Sequence, residues 1–334
     1  MKNAKRFLLL ASMVLLALTV FTACHIGTDG GHTHESVSLQ FTYSDEMQGY
    51  VVSGISSYSD PNVVIPALFE GKPVVGIGDN AFLCCTGLMS ITIPDSVTSI
   101  GNNAFGSCTG LSSINIPDNV TVIGDRAFDG CAGLTSITIP DGVTSIGGGA
   151  FSSCAGLTSI TIPDNVTSIG GSAFSYCTGL TSIMIPDNVT RIGDSLFYGC
   201  TDLMSITIPD SVTSIGGDAF HGCTSLMSIT IPDGVTRIDS GAFYACTNLT
   251  SITIPDSVTR IGNSAFNGCT RLSSVIIGDG VTSIGGDTFS GCTSLMSIQF
   301  EGAVTQWNAI NKGSSWKDNV PANKVVCIDG EAAI

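Results

Sequence analysis

A 23-residue unit recurs ten times between Ala81 and Phe300, and this repetition limits what the chain can fold into. Its consensus is A-F-x-x-C-x-x-L-x-S-I-x-I-P-D-x-V-T-x-I-G-x-x, and no copy contains an insertion. A unit this short cannot bury its own apolar face, so a fixed period of roughly 20 to 50 residues predicts a stacked solenoid. The phenylalanines that mark the step are Phe82, Phe105, Phe128, Phe151, Phe174, Phe197, Phe220, Phe243, Phe266 and Phe289.

Each unit is predicted to contain one strand with a buried face. In the first copy, the alternation of Ile91 and Ile93 puts both side chains on one face, with Ser90 and Thr92 on the other. Pro94 cannot donate a hydrogen bond to a strand ladder and therefore ends the strand.

The second half of the unit is predicted to turn back toward the core. Val97 and Ile100 supply further inward contacts, and a short helical or 3₁₀ turn delivers Phe105 into the core. Gly101 stands before this turn, and Asp239 takes its place in another copy. Because both residue types tolerate a positive φ, we expect a left-handed turn there. When the coils stack, every position becomes a ladder with a spacing of about 4.8 Å.

Residues 39–80 precede the regular array and are predicted to cap it. Phe41–Tyr43 and Tyr50–Ile55 alternate as strands do, and Asn62–Pro66 is a degenerate copy of the strand-then-proline pattern. Terminal coils of a solenoid must be atypical because their outer faces meet water.

Residues 301–334 are predicted to form the second cap, after ten repeats at 81–300. Trp307 falls 23 residues after Ile284 and would occupy its slot, and Trp316 adds a second large ring. The segment that begins at Lys324 reads as a last strand. Large aromatic side chains over the open end of the core are what such a cap requires.

Residues 1–23 have the parts of a secretory signal: three basic residues within the first six, and then an apolar core at Phe7–Val20. Phe21-Thr22-Ala23-Cys24 resembles a bacterial lipoprotein cleavage box, which implies cleavage before Cys24 and a diacylglycerol on its sulfur. An ordinary cleaved signal with an incidental cysteine is the alternative. Residues 24–38 are polar and rich in glycine, and we interpret them as a flexible tether.

The charge of the chain excludes one class of partner. Twelve Lys and Arg stand against 27 Asp and Glu, which gives a net charge of −15. A chain this acidic repels phosphate backbones and anionic bilayers, so we expect no nucleic acid partner and membrane contact only through the lipid anchor.

The units resemble the BspA-like leucine-rich repeats of bacterial surface proteins. Leu88-x-x-Ile91-x-Ile93 matches the leucine-rich-repeat strand, and Ala104-Phe105-x-x-Cys108 matches the signature of this variant. The resemblance implies a β-rich, curved right-handed solenoid of 23-residue coils, with a parallel sheet on its concave side and a cap at each end. It also implies an exported protein, lipid-anchored and exposed at the cell surface, in a family known mainly as adhesins and binding proteins.

The predicted binding surface is the outward face of the repeated strand, which is the usual binding side of such arrays. We call it the Ser/Thr face. It suits extended polymers better than a small molecule, because identical positions do not build a unique pocket. Its residues are Ser90, Thr92, Ser113, Asn115, Ser136, Thr138, Ser159, Thr161, Ser182, Met184, Ser205, Thr207, Ser228, Thr230, Ser251 and Thr253.

Two other ladders have alternative interpretations. The cysteines at the period of Cys108 could form disulfides or a metal site, but parallel Cβ vectors and non-converging ligands favour a buried core ladder. Nine aspartates at the period of Asp95 could attract calcium, although a local turn role is favoured at their position after the strand.

No catalytic motif is found, and we expect neither an enzyme nor a cofactor or metal site. His221 is the only histidine of the array and stands in a variable position that we expect to be exposed. The favoured function is therefore a monomeric, surface-anchored protein that binds an extracellular protein or glycan. A structural spacer without a specific ligand is the alternative. A cation-dependent module built on the aspartates is a third, and it predicts that a chelator lowers thermal stability.

Overall fold

The computed structural model describes residues 38–57 and 60–334, and it is a parallel β-solenoid of about 12 turns of about 23 residues with almost no helix. The predicted β-rich solenoid is confirmed. Each coil has three sides: two carry short strands, and the third consists of turns. We call the third side the turn side; in the coil of Phe105 it spans residues 102–107.

The first sheet contains the strand that the repeat predicts. Ile91 and Ile93 are buried, whereas Thr92 is exposed, as the alternation requires. Its strands are β3 (Asn62–Val64), β6 (Ser90–Thr92), β8 (Ser113–Ile114), β10 (Ser136–Thr138), β12 (Ser159–Thr161), β14 (Ser182–Met184), β15 (Ser205–Thr207), β18 (Ser251–Ile254), β20 (Ser274–Ile277), β22 (Ser297–Phe300), β24 (Lys324–Cys327) and β25 (Gly330–Ala333). Paired strands are offset by one repeat, as Ser136 and Ser159 show.

A second parallel sheet, which the repeat pattern did not predict, follows the proline turn of each coil. Ser99 pairs with Val122 of the next coil, and Ile100, which is buried, pairs with Ile123. Its strands are β1 (Ser38–Ser44), β2 (Gly49–Ser57), β5 (Lys72–Ile77), β7 (Ser99–Ile100), β9 (Val122–Ile123), β11 (Ser145–Ile146), β13 (Ser168–Ile169), β16 (Ser214–Ile215), β17 (Arg237–Ile238), β19 (Arg260–Ile261), β21 (Ser283–Ile284) and β23 (Asn311–Lys312), with β4 (Leu68–Phe69) beside β5.

The core is a stack of equivalent side chains. The ten repeat phenylalanines are fully buried, and successive rings lie nearly parallel with their centroids 5.1–5.8 Å apart. On the turn side, the N–H of Phe105 donates to the carbonyl oxygen of Ala127 in the next coil at 2.7 Å. The backbone of most coils therefore bonds to its neighbours on all three sides.

An antiparallel hairpin of β1 and β2 covers the first end of the stack, where alternating strands were predicted. Its inner rings pack on the core: Phe41 stacks on Phe69 with centroids 4.2 Å apart, and Tyr50 meets Phe69 edge-on at 4.9 Å. These aromatic contacts remove the first apolar coil from water.

At the other end, Trp307 does not occupy the slot of Ile284. A short helix, α1 (Val304–Ala309), adds five residues, so Lys312 of β23 pairs with Ile284 instead. Trp307 is buried and tilts against Phe300, with ring centroids 5.4 Å apart, while Trp316 meets Phe289 edge-on at 6.3 Å. The predicted aromatic cover is present, although one slot assignment was wrong. The last strand, β24, is joined by an antiparallel β25 that the sequence did not predict.

One interface between coils is looser than the rest, and we call it the seam. The N–H groups of Thr190 and Gly193 lack the bonds to the carbonyls of Thr167 and Ile169 that their counterparts make throughout the array. The second sheet is divided there, Phe174 and Phe197 have the widest ring spacing at 5.8 Å, and a cavity of about 300 Å³ opens.

Leu196 accounts for the seam. It is fully buried at a position that alanine holds in eight of the ten copies. Its extra carbon atoms need volume that a coil packed around alanine does not provide, and overpacking of this kind displaces the backbone. The turn side still holds the two coils together there, for example through the bond from Ser172 N to Asp194 O at 2.9 Å.

The expected left-handed turn at Gly101 was wrong. Neither Gly101 nor Asp239 has a positive φ; left-handed residues lie instead on the turn side, at the positions of Asn103 and Ser107. Gly101 is required for another reason, because a Cβ there would lie only 2.7 Å from the backbone nitrogen of Asp79 in the preceding coil. The presence of Asp239 indicates that this contact is not equally tight in every coil.

Two adjacent glycines distinguish the two reasons for which a repeat can require glycine, namely a close approach to neighbouring backbone and a positive φ. A Cβ on Gly147 would collide with the backbone of Gly124, whereas a Cβ on Gly148 has its nearest neighbour 3.5 Å away, at Gly171 O. Neither residue has a positive φ. Gly147→Ala should therefore destabilise the array by about 1–3 kcal/mol, and Gly148→Ala by less than about 0.5 kcal/mol. Chemical denaturation midpoints of the two variants and the parent measure the difference; equal midpoints would contradict the close-approach explanation.

Candidate functional site

The Ser/Thr face runs along the outward side of the first sheet, whose strands fall into four hydrogen-bonded groups: β3 with β6 and β8, β10 with β12, β14 with β15, and β18 with β20, β22, β24 and β25. Ser228 and Thr230 lie in a coil that has no strand on this side. All 16 of the predicted residues from Ser90 to Thr253 point outward, and every one except the half-buried Ser90 is exposed. The face carries no charged side chain at these positions. Met184 interrupts it with a side chain that is 77% exposed. Whether this face binds a ligand stays a prediction.

Serine and threonine at four other repeat positions use their hydroxyls inside the array, including Ser96, Ser211 and Ser257 after the proline turn. In the second sheet, Thr213 Oγ1 donates to Thr190 O at 3.2 Å, and just before the first strand, Thr181 Oγ1 donates to Thr158 O at 3.3 Å. Such bonds tie each coil to the one before. The donors at the other three positions are Thr98, Thr121, Thr167, Thr213, Thr236, Thr259, Thr282, Ser112, Thr181, Thr250, Ser273, Thr201, Thr224, Thr247 and Thr293.

Hydroxyls of the Ser/Thr face are not used in this way. Ser90 is the exception, since its Oγ donates to Asn62 Oδ1 at 2.6 Å in the N-terminal cap. Within the part of the chain that the structure describes, the other hydroxyls of the face make no hydrogen bond to protein. They remain available to water or to a ligand, each as one donor and an acceptor of two bonds.

The aspartate row lies along the proline turns, and its side chains are exposed. The turn itself is closed by backbone, from Val97 N to Pro94 O at 3.0 Å, and does not use the carboxylate of Asp95. Of the nine, only Asp256 accepts a hydrogen bond through its carboxylate, from Asp279 N at 3.0 Å. That bond comes from the next coil, so none of the nine carboxylates makes the local turn hydrogen bond that was favoured, and this expectation was wrong.

Cation binding by this row gains no support from the geometry. Among the described residues, no group of three or more His, Cys, Asp or Glu side chains is arranged to hold a metal ion. Two arginines of the array pair with acidic residues outside this row: Arg191 with Asp194 at 3.0 Å, and Arg237 with Asp239 at 3.5 Å.

The cysteine ladder is part of the core, as predicted. All ten ladder thiols are buried and unoxidised. Each Sγ from Cys108 to Cys292 donates to the carbonyl oxygen of a phenylalanine in the preceding coil, as Cys177 does to Phe151 at 3.1 Å. Burial raises the pKa of the Cys131 and Cys177 thiols to about 12. Such thiols stay protonated at neutral pH, so they are neither nucleophiles nor metal ligands.

His221, which was expected to be exposed, is half-buried in a row of rings on the turn side that the sequence analysis missed. It is stacked between Tyr198 and Tyr244, with centroids 4.4 and 4.5 Å away, and its Nδ1 lies 3.2 Å from Asp218 Oδ1. Tyr176 extends the row at 60° to Tyr198. The signal was present in the sequence, because aromatic residues occupy adjacent variable positions in four successive copies.

The predicted lipidation site Cys24, the signal peptide and the tether up to residue 37 lie outside the described residues. In the ranges 38–57 and 60–334, no helix has the length and hydropathy needed to cross a bilayer.

The repeat units match the family model described as the BspA type leucine-rich repeat region, over residues 75–204 and 190–310. None of the curated proteins compared with the chain matches it significantly.

Similar solved structures include three leucine-rich repeat proteins. A leucine-rich repeat protein from Bacteroides ovatus is 34% identical, with a TM-score of 0.64, and the match covers 83% of this chain and 77% of that one. The leucine-rich repeat protein of T. pallidum is 33% identical over 56% of this chain and 87% of its own, with a TM-score of 0.52. A leucine-rich repeat protein from Eubacterium ventriosum, 24% identical with a TM-score of 0.55, covers 87% of this chain and 83% of its own and shows the shared fold alone.

Thiol labelling tests the core role of the cysteine ladder. At pH 8, a thiol reagent should label the half-buried Cys84 well before any ladder cysteine. Because the pKa of Cys223 is also raised to about 12, its thiol stays protonated as the pH rises to 10, and ladder labelling should not increase. Mass spectrometry of a Cys24→Ser chain, native and denatured, gives the count. Cys84→Ser is the control that removes the fast site, and rapid native labelling of several ladder thiols would contradict the assignment.

Proposed function

The chain belongs to the BspA-type leucine-rich repeat family, and from that premise we propose that it is an exported, cell-surface-anchored protein that binds host or neighbouring-cell macromolecules through its solenoid surface. The family consists of bacterial leucine-rich repeat proteins whose arrays act as interaction scaffolds. The ligand is an extracellular protein or glycan, the chain acts as a monomer, and no catalytic step is involved.

One observation carries this proposal. Hydroxyls at other repeat positions are used to join coils, whereas those of the Ser/Thr face are exposed and, apart from Ser90, unpaired with protein. A flat, uncharged surface with many unspent donors and acceptors costs little to desolvate compared with a charged one. It can contact an extended partner along several coils, and many weak contacts then add up.

The proposed location at the cell surface rests on residues that lie outside the described part of the chain. We assign residues 1–23 to a lipoprotein-type signal peptide, Cys24 to lipidation and residues 24–37 to a tether, which is one residue shorter than the predicted 24–38 because Ser38 belongs to β1. Residues 39–80 and 301–334 are the caps, with the ten repeats at 81–300 between them. Lipidation at Cys24 holds the array at the bacterial membrane, and the tether lets it extend from the surface.

Binding by the Ser/Thr face is tested with charge insertion. Thr161→Lys combined with Thr207→Lys should reduce binding of the array to its partner at least about ten-fold, because each lysine places a charge and a long side chain on the face. Binding is measured for a Cys24→Ser chain against a panel of extracellular-matrix proteins and glycans, with and without calcium.

The matched control is Ser168→Lys in the second sheet, where Arg191 and Arg237 show that a basic residue is tolerated. Saturable binding that survives the control and is lost in the face variant supports the proposal. If folded, monomeric protein binds no member of the panel, the structural spacer is favoured instead. If binding requires calcium, the result would favour the cation-dependent module built on the aspartate row.

The proposed anchor has its own test. Cys24→Ser should move the protein from the detergent-extracted membrane fraction to the soluble fraction, because the acyl chains supply the membrane affinity. Cys84→Ser, which changes a thiol inside the array, should leave the protein in the membrane fraction. Labelling with a radioactive fatty acid checks the same site, and membrane retention of the Cys24→Ser chain would rule out lipidation as the anchor.

A further inference from the structure

A groove crosses four coils on the turn side, away from the Ser/Thr face. It forms where the repeat loses side chains: Gly148 and Gly171 stand at the ladder position that Asn102 and Asp125 hold in the two preceding coils. Gly149 adds a third missing side chain beside them. The resulting cavity has a volume of about 800 Å³ and is open along its length. This volume is within the range of ligand sites, roughly 300–1,000 Å³.

The polar side chains that line the groove differ from coil to coil. Arg126 lines the groove, with its Cγ 3.2 Å from the point that a Cβ on Gly149 would occupy. Asp125 uses one carboxylate oxygen to accept from Gly148 N at 2.7 Å. In the described part of the chain, the side chains of Arg126 and Asp129 make no hydrogen bond or ion pair. The groove therefore has hydrogen-bond donors and acceptors without protein partners at positions that do not repeat. The Ser/Thr face has no such non-repeating set of polar groups.

Tyr176 closes one end of the groove with an aromatic ring. Its side chain is 51% exposed, and the ring edge lies against Gly199 of the following coil, 2.8 Å from where a Cβ would be. Tyr198, His221 and Tyr244 cover one another's faces by stacking. Tyr176 is instead inclined at 60° to Tyr198 and lines the groove, so its ring is the one that can present a face there.

We propose that this groove binds a neutral glycan chain, an assignment that rests on the proposed function and names its ligand class and a second site for it. Sugar hydroxyls both donate and accept hydrogen bonds, which matches Arg126 beside Asp125 and Asp129. The apolar C–H face of a sugar ring fits against the face of Tyr176. A peptide would need apolar pockets, and Tyr176 is the only large apolar side chain in the lining. The two carboxylates outnumber the single guanidinium, so anionic glycans are repelled.

The test fills the groove with residues that the fold already accepts. Gly148→Asn restores the side chain found at Asn102, at a point where an added Cβ has its nearest neighbour 3.5 Å away. Tyr176→Ser introduces the residue found at the equivalent Ser153, which has the same φ of 57°. Each variant should lower the affinity for the bound glycan at least about ten-fold. The matched controls are Gly217→Asn, at the same ladder position outside the groove, and Tyr244→Ser, in the stacked row. Both controls should leave affinity unchanged.

Binding is measured by calorimetry on the Cys24→Ser chain, with neutral tri- to hexasaccharides of glucose, mannose, xylose and N-acetylglucosamine as probes. Loss in the groove variants but not in the controls supports the glycan site. No binding of any probe, or equal loss in the controls, overturns it. Binding of matrix proteins that is lost with Thr161→Lys and Thr207→Lys but not with the groove variants would overturn the groove and leave the proposed function standing. Sugar binding that only the groove variants abolish would support the groove and reject the Ser/Thr face.

Discussion

Backbone hydrogen bonding between successive coils is the constraint on which the rest of this structure depends. Except at the seam, each coil bonds to its neighbours through two sheets and through the turn side, so all three sides must advance by the same interval. An insertion in one coil would break the register of all three ladders, which explains why the ten copies contain none. The same constraint brings the backbone at Gly101 so close to the preceding coil that a side chain is excluded there.

This constraint also divides the polar residues by task. A hydroxyl that can reach the carbonyl one coil away is used for cohesion, as in Thr213, and its repetition needs no functional explanation. A hydroxyl that points straight out of the first sheet, as in Ser159, cannot reach such a partner. Binding capacity therefore lies in two places. On the Ser/Thr face the polar groups have no partner in the neighbouring coil, and in the groove beside Tyr176 the repeat is broken.

Much of the fold could be predicted because the same alternation and spacing of apolar residues occurs in all ten copies of the repeat. Burial of Ile91, Phe105 and Cys108, and exposure of Ser113, follow from alternation and spacing alone. What could not be predicted depends on distances between coils. The role of Gly101 is set by how near the next backbone comes, which no single unit encodes.

The remaining differences lie at departures from the consensus. Trp307 was assigned by counting 23 residues, but helix α1 absorbs five more before the ladder resumes. Leu196 and Tyr176 are visible as substitutions, yet their effects, a widened interface and a closed groove end, are properties of stacked neighbours. The sequence pattern predicted the Ser/Thr face but not the groove beside Tyr176, because repeated positions were given more importance than departures from the repeat.

The equivalence of the coils has a consequence for how the length of such a protein can change. Every interior coil presents the same contacts above and below, so loss or duplication of one whole unit joins two surfaces that already fit. Recombination between the stretches of the gene that encode equivalent units can therefore shorten or extend the array in steps of about 4.8 Å without disturbing either cap. The seam is an exception to this exchangeability, since its geometry comes with Leu196 and would travel with the unit that carries it.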